Sequence, residues 1–380
     1  MDLPLLDNNA APATRQPGAA ISFSSGAGGG GGLLDAASSV ASAVGVDISG
    51  DAVDPWQRSL VEIISETNLA PAVDLLKIVI ASDSQSPDFA LQDEGDIQLG
   101  YSDELHPVFT GSIAQIQRSF VNQATVCVCN AGFKLSQMRL NESFEQQAAG
   151  DIVASIAGSA GVATDAIEPG IDFPFYVIDE SKTLYQHIAV LAEKCGFIVF
   201  VGTDGKLNFM APPSGEAVKT FVYGVDIIDL KAFSSQHAVT KVKVVGQGAA
   251  GSQGNDAWNW LVKDPASVSS ESGDGDFSRL VSDHSIRSAE AAQQAAASKL
   301  FLKKQQSKKS RLKVTGAAEV FAGSRIAISD VPDASFNGEG VVETVRHHYS
   351  KQQGFISEIV VLMDSDDNSL DLLGALGGLF

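Results

Sequence analysis

From Val73 onward the chain alternates apolar and polar residues in short runs, as in "DLLKIVIAS", "DIQLGY" and "SIAQIQRSF", with Gly, Asp and Pro between them. Alternation with period two sends successive side chains to opposite faces, so each run predicts a half-buried strand. Between Asn141 and Gly161 the spacing becomes helical: Phe144, Ala148, Ile152 and Ile156 form a stripe that Val153 and Ala157 widen. A second helix is predicted with Ser181 as N-cap, an apolar face of Leu184, Ile188, Leu191 and Cys195, and Gly196 as its stop. His187 falls on that face and reads as a packing residue.

After this helix "FIVFVGTDGKLNFM" spells a hairpin turning on Asp204-Gly205, closed by Pro212 and Pro213. A polar, Gly/Ser/Asp-rich stretch from Gly248 to Asp283 carries Trp258 and Trp260 as its large anchors, and a helix from Ser288 to about Lys304 follows. The N-terminal residues, including "SSGAGGGGG", offer too few apolar anchors to offset the entropy of ordering and predict a flexible arm, with a short Ala-rich helix from Leu33 to Val44.

The two β-rich parts echo each other. In the first, Gly95, Ile97 and Leu99 lead to Phe109 and Gly111, then to Ile113, Ile116 and Phe120; in the last, Gly323, Ile326 and Ile328 lead to Phe336 and Gly338, then to Val342, Val345 and Tyr349. The shared grammar is a strand, a loop, an aromatic-x-Gly turn and a second strand of the same hydrophobic phase. Such an echo predicts two related small barrels in one chain.

Composition narrows the function classes. Over 380 residues, 46 acidic against 26 basic side chains give a net charge of −20, which disfavours broad binding to DNA or an anionic membrane. The basic cluster "KKQQSKKSRLK" from Lys303 to Lys313 reads as a solvated helix end. Cys127, Cys129 and Cys195 have neither metal nor disulfide spacing, and a reducing compartment fits them. No signal peptide or membrane-spanning run is visible.

Three motifs invite chemistry. Gly246, Gly248 and Gly251 spell G-x-G-x-x-G after the strand-like Val242 to Val245, but "SQGNDAWNW" behind them has no helical stripe, so Lys241 to Val245 is assigned to a strand of the second barrel. "DSDDNSLD" from Asp364 resembles a calcium loop without its Gly and Glu, with Ser369 and Ala375 standing there. His347 and His348, with Glu343 nearby, would face opposite sides of a strand, which makes joint metal ligation awkward. No nucleophile elbow, P-loop, zinc-protease motif or hydrolase acid–nucleophile arrangement is present.

In order and spacing, "GDIQLGYSDELHPVFTGSIAQIQ", "FEQQAAGDIVASIAGSAGV", "SKTLYQHIAVLAEKCGFIVFVGTDGKLNF" and "GVVETVRHHYSKQQGFISEIVVL" resemble successive blocks of the late control gene D family over about residues 60 to 365. These are baseplate or tail hub proteins of contractile phage tails and related injection systems. The resemblance implies a homotrimer whose protomers carry two tube-like barrels and form a pseudo-six-fold ring. Its partners would be a tail tube or tube-initiator protein, a trimeric spike protein and baseplate wedge proteins. It implies no catalysis, cofactor, metal or specific nucleic-acid binding, and a place in the baseplate of a virion or injection particle assembled in the bacterial cytoplasm. Related secretion spikes continue into a further barrel and a needle, so here the spike is expected to be a separate protein.

The expected fold class is therefore α+β, mainly β, with two tandem tube-like β-barrels, an α/β insertion domain and a variable helical insertion. The expected boundaries are a flexible arm at 1–52, a first barrel at 53–125, the α/β insertion at 126–220, a second barrel from 221–247 and 311–365, the variable insertion at 248–310 and a tail at 366–380. The repeat positions Gly95, Phe109, Gly111, Phe120, Gly323, Phe336, Gly338 and Tyr349 are its structural markers. The alternative function is a nucleotide-binding enzyme built on Gly246–Gly251.

Overall fold

A computed structural model describes residues 16–24, 54–83, 86–101, 104–235, 239–246 and 268–364. The helix expected over Leu33–Val44, the tryptophans Trp258 and Trp260 and the tail 366–380 lie outside the described residues.

The chain opens with β1 (Pro17–Ser24), the short helix α1 (Pro55–Ser59), β2 (Leu60–Asn68), β3 (Leu75–Ala81), β4 (Glu94–Tyr101), β5 (Glu104–Ser119) and β6 (Gln123–Cys129). These six strands lie in the order β1-β4-β5-β6-β3-β2. Their inward positions alternate as the sequence predicts: Ile63, Leu76, Ile78, Ile80, Ile97 and Leu99 are each fully buried in one core. Each such side chain contributes roughly 1.5–3 kcal/mol relative to exposure.

An α/β unit follows: α2 (Ala131–Gln137), β7 (Glu142–Ala148), α3 (Ala149–Ser159), β8 (Thr164–Ile167), β9 (Asp172–Ile178), α4 (Leu184–Cys195), β10 (Ile198–Val201) and β11 (Leu207–Met210). β7 pairs with β9, and β11 lies between β10 and β8. The expected hairpin is β10–β11, with Gly205 at φ 80° in its turn. Helix α4 starts on a capping box, in which Thr183 Oγ1 accepts from Gln186 N and Gln186 Oε1 accepts from Thr183 N, and it stops at Gly196 in the left-handed region.

The chain then writes β12 (Lys219–Val222), β13 (Ile227–Ser234), β14 (Lys241–Gly246), β15 (Ser269–Ser272), β16 (Ser278–Asp283), α5 (Ala289–Gln306), β17 (Lys308–Thr315), β18 (Arg325–Ser329), β19 (Gly338–Ser350) and β20 (Gly354–Met363). Six of these form the second half of the large sheet, in the order β12-β18-β19-β20-β17-β13, around a core that includes Phe221, Leu312, Ile326, Val345 and Ile359. The two halves are one continuous sheet because β2 pairs antiparallel with β19, from Asn68 opposite Thr344 to Glu62 opposite Ser350.

Several expectations need correction. Residues 17–24, placed in the flexible arm, form β1 and pair with β4 along their whole length; Ala19 and Ile21 alternate into the first core, a pattern hidden by the surrounding Gly and Ala. β6 runs past residue 125, β12 begins before 221 and β17 begins before 311, so each of those boundaries cuts a strand. Lys241 to Val245 belongs not to the second barrel but to β14, in a separate sheet with β15 and β16, where Val242 and Val244 join the core of the α/β unit against the alanines of α5. The helix expected from Asn141 starts only at Ala149, since Glu142–Ala148 is a strand. The second helix is capped by Thr183 rather than Ser181.

A candidate assembly interface

The two halves share a strand order and also its irregularities. In β2 the bulge that shifts its pairing with β3 falls at Val61, and in β13 the bulge against β17 falls at Ile228. In β5 the bulge against β6 falls at Ala114, and in β19 the bulge against β20 falls at Glu343. A bulge breaks the ladder at one residue and fixes register on either side. Aligning the bulges sets Ile113 on Val342, Ile116 on Val345, Phe120 on Tyr349 and Gly111 on Gly340. Ahead of the bulge, Gln92 N and Gly323 N donate to Ile113 O at 2.8 Å and Val342 O at 2.9 Å, and both residues have positive φ, 72° and 90°. Two differences break the correspondence: β1 runs antiparallel to β4 whereas β12 runs parallel to β18, and the β4–β5 ladder has a bulge at Val108 that β18–β19 lacks.

This register relocates the repeat markers. Gly111 faces Gly95 across β4–β5, and its counterpart is Gly340 rather than Gly338; a Cβ on Gly111 or Gly340 would run into the carbonyl of Cys129 or Leu362. Phe109 is buried in the first core, while Phe336 sits in a 3-10 turn before β19, so the two are not equivalent. Gly323 corresponds to Gln92, and the counterpart of Gly95 is Ile326, opposite Gly340. Gly338 opens β19, opposite Ile328. Sequence matching paired glycine with glycine, whereas the ladders show that the loop lengths differ between the copies. Extended by one residue, the same register sets Phe120 on Tyr349, but Phe120 lies in the turn that ends β5 while Tyr349 is still on β19, and their exposure differs, 96% against 7%.

Among the described residues the halves meet strand to strand at the β2–β19 junction, which shows what such a joint requires. Tyr349 on β19 packs into the core of the first half, opposite Ile63 on β2. On the other face His348 Nε2 lies 2.8 Å from Glu62 Oε1. At the end of the joint Thr344 Oγ1 donates to Asn68 Oδ1 at 2.9 Å, and Asn68 N donates to Asp74 Oδ1 at 2.7 Å. Asn130 Nδ2 donates to the other Asp74 oxygen at 2.5 Å. Burial pushes the Asp74 carboxyl up to about 7, against these two hydrogen bonds and with some help from Glu66. Asp74 thus ties the β2–β3 turn to the α/β unit at the point where the halves join.

Two strand edges remain unpaired among the described residues at the corresponding places. β13 pairs with β17 alone; Ile227 and Leu230 are half-buried against the second core and the rest of the strand is exposed, with Ile228 55% and Phe233 58% exposed. The C-terminal part of β5, beyond its pairing with β4, has β6 on one side and an open edge on the other among the described residues, and it ends at Ser119, followed by Phe120 and Val121 in the turn. Open edges with exposed aromatic side chains are templates for adding a strand. Sequence reading did not find β13 as an edge, because "IIDLKAFS" carries the same alternation as an internal strand.

The described residues among those singled out for chemistry have partners within the fold. His347 and His348 do point to opposite faces. His347 is buried, its Nε2 donating to Val320 O at 3.0 Å and its Nδ1 accepting from Ser357 Oγ at 2.8 Å; burial lowers it to about 4. Glu343 pairs with Lys309 at 2.7 Å. His187 Nε2 lies 2.8 Å from Asp179 O. Burial raises the Cys195 thiol to about 12, which leaves it unreactive. Gly246 ends β14 where a Cβ would meet Ile286 O, while Gly248 and Gly251 lie outside the described residues. Asp364, the first residue of the calcium-like run, pairs with Arg325; the rest of that run lies outside the described residues. Among the described residues no group of three or more His, Cys, Asp or Glu is placed to hold a metal, and no helix is long and apolar enough to cross a membrane.

Solved structures share this fold over most of their own length. The 43 kDa tail protein of prophage MuSo2 from Shewanella oneidensis matches with TM-score 0.61 at 14% identity, over 80% of this chain and 96% of its own. The tail protein from Neisseria meningitidis MC58 matches with TM-score 0.63 at 13% identity, over 80% and 93%. The E. coli c3393 protein, a component of the type VI secretion system with structural similarity to T4 tail proteins gp27 and gp5, matches with TM-score 0.55 at 12% identity, over 81% and 74%. The mainly β architecture of this chain is therefore the fold of these tail proteins. No curated protein matches the sequence. The family model of the Alg8 N-terminal domain matches residues 82–351, well over half of the sequence, and the chain belongs to that family.

Proposed function

We propose that this chain is a structural hub of a contractile tail or injection machine, acting as a homotrimer that joins a six-fold tail tube to a three-fold spike. The observation that carries this reading is the repetition of one six-strand order, with the same two bulges, around two separate cores. A six-fold and a three-fold partner share no equivalent interface, and an adaptor resolves the mismatch when each of three subunits shows the same surface twice. Two sheet halves per chain supply six such surfaces. The fold shared with tail proteins and with a type VI secretion component supports the same assignment.

The role is geometric and needs no catalytic group. Spike, tube and wedge proteins are the partners this reading assigns, in the baseplate of the particle. The test is light scattering of the purified chain with and without its tube and spike, beside a nucleotide titration. The hub reading expects three copies per particle and no saturable nucleotide binding. A monomer that saturates with nucleotide would replace it with the enzyme reading built on Gly246–Gly251.

A further inference from the structure

We propose that β13 of one copy adds antiparallel to the open edge of β5 in the next, in the register of the β2–β19 junction, and that Phe120 fills between copies the place Tyr349 fills within one. The proposal rests on the hub reading above and specifies the contact by which copies join.

Within the chain, β2 of the first half pairs with β19 of the second. The counterpart of β2 is β13 and that of β19 is β5, so repeating this joint would bring together two strands that each keep an open edge among the described residues at the place the junction occupies. Carrying the bulge alignment across the joint sets Phe233 opposite Gln117, Ala232 opposite Arg118, Lys231 opposite Ser119 and Leu230 opposite Phe120.

Exposure points to the same occupant. Ile63 on β2, opposite Tyr349 in the junction, is 0% exposed and Leu60, further along β2 in the same core, 3%, whereas their counterparts Ile227 and Leu230 on β13 are only half-buried at the rim of the second core. Tyr349 lies opposite Ile63 from β19, and its counterpart Phe120 stands 96% exposed in the turn that ends the free edge of β5. An uncovered rim and an unhoused aromatic ring are the two parts of one joint, separated between copies. With three copies there are six halves and six joints, three within chains and three between them.

The test uses the full chain carrying Lys231→Cys with Ser119→Cys in a Cys127→Ser, Cys129→Ser background, oxidised mildly and read on a non-reducing gel beside light scattering. Directly opposed positions on antiparallel strands meet disulfide geometry. The expected result is a covalent three-chain species, while Lys231→Cys with Arg118→Cys, one residue out of register and on the other face, gives about a tenth of that yield or less. Phe120→Ala is expected to weaken association between copies about tenfold or more. Three copies in solution with no bond at 231/119, or with equal bonding at both pairs, would overturn the strand pairing and leave the hub reading standing. Absence of a three-copy species under all conditions would overturn both.

Discussion

Gln92 and Gly323 occupy one position in two copies of the same sheet. Each is in the left-handed region and each donates its N–H to the carbonyl of the residue just before a bulge, Ile113 in one copy and Val342 in the other. Only the second copy has the residue that this conformation favours, since a side chain at positive φ costs roughly 1–2 kcal/mol.

The two positions should therefore respond oppositely. Gln92→Gly is expected to leave stability unchanged or raise it by up to about 1 kcal/mol, the relief of strain offsetting the extra entropy of glycine. Gly323→Ala should cost about 2 kcal/mol or more, because its Cβ would also lie 2.6 Å from the Phe200 ring. Denaturant midpoints measure both.

Gly111→Ala and Gly340→Ala should each destabilise by roughly 1–3 kcal/mol, since in both halves the added methyl meets the carbonyl of a neighbouring strand. Gly338→Ala is the comparison: its Cβ would have 3.4 Å to the flexible end of Met363, so strain arises from its φ of 143° alone and the loss should be smaller. Equal losses at Gly338 and Gly340 by chemical denaturation would contradict the register assigned to the repeat.

Two buried groups give stability opposite dependences on pH. The Asp74 carboxyl, raised from 3.8 to about 7, makes folding more favourable at low pH, and that contribution is lost as pH rises through this range. His347, lowered from 6.5 to about 4, contributes above 6.5, and its contribution is lost as pH falls toward 4. The wild-type slopes partly cancel. In Asp74→Asn the stability should rise with pH between these values, and in His347→Gln it should fall, each with a swing on the order of a few kcal/mol. Urea melts at stepped pH read the slopes, and parallel curves for the two variants would contradict the assignment.

Lys194 on α4 pairs with Asp283 at the end of β16, and Ser285 Oγ accepts from the same ammonium at 2.8 Å. Burial pushes the Asp283 carboxyl up, and the Lys194 ammonium with the hydrogen bonds from Ser285 more than reverses this, holding it below the usual carboxylate range. Lys194→Met leaves a buried carboxylate unpaired and should cost about 3 kcal/mol, most of it regained in Lys194→Met with Asp283→Leu. Thermal melts of both variants check this.

Much of the β architecture was legible from alternation, because an inward residue every second position is what a one-sided sheet requires. The misses have physical causes. Phe144 and Ala148 are four apart, a spacing that shares a face on a strand as well as on a helix, so the strand before α3 was read as part of it. "KVKVVG" alternates like any strand, and alternation does not say which sheet takes it; packing of Val242 and Val244 against α5 decided that. The echo around Phe120 and Tyr349 was visible in sequence, but the difference in their surroundings was not, because it depends on which half supplies the neighbouring strand.

The central claim is that one chain builds the same sheet twice so that three chains present six equivalent positions. Imaging the purified protein and any assembly it forms, with the mass measured in parallel, tests this most directly. The account predicts three copies arranged as six similar lobes, six-fold at coarse detail and three-fold once the α/β units are distinguished. A closed ring with a different number of chains, or one whose two halves lie at unlike radii, would contradict it.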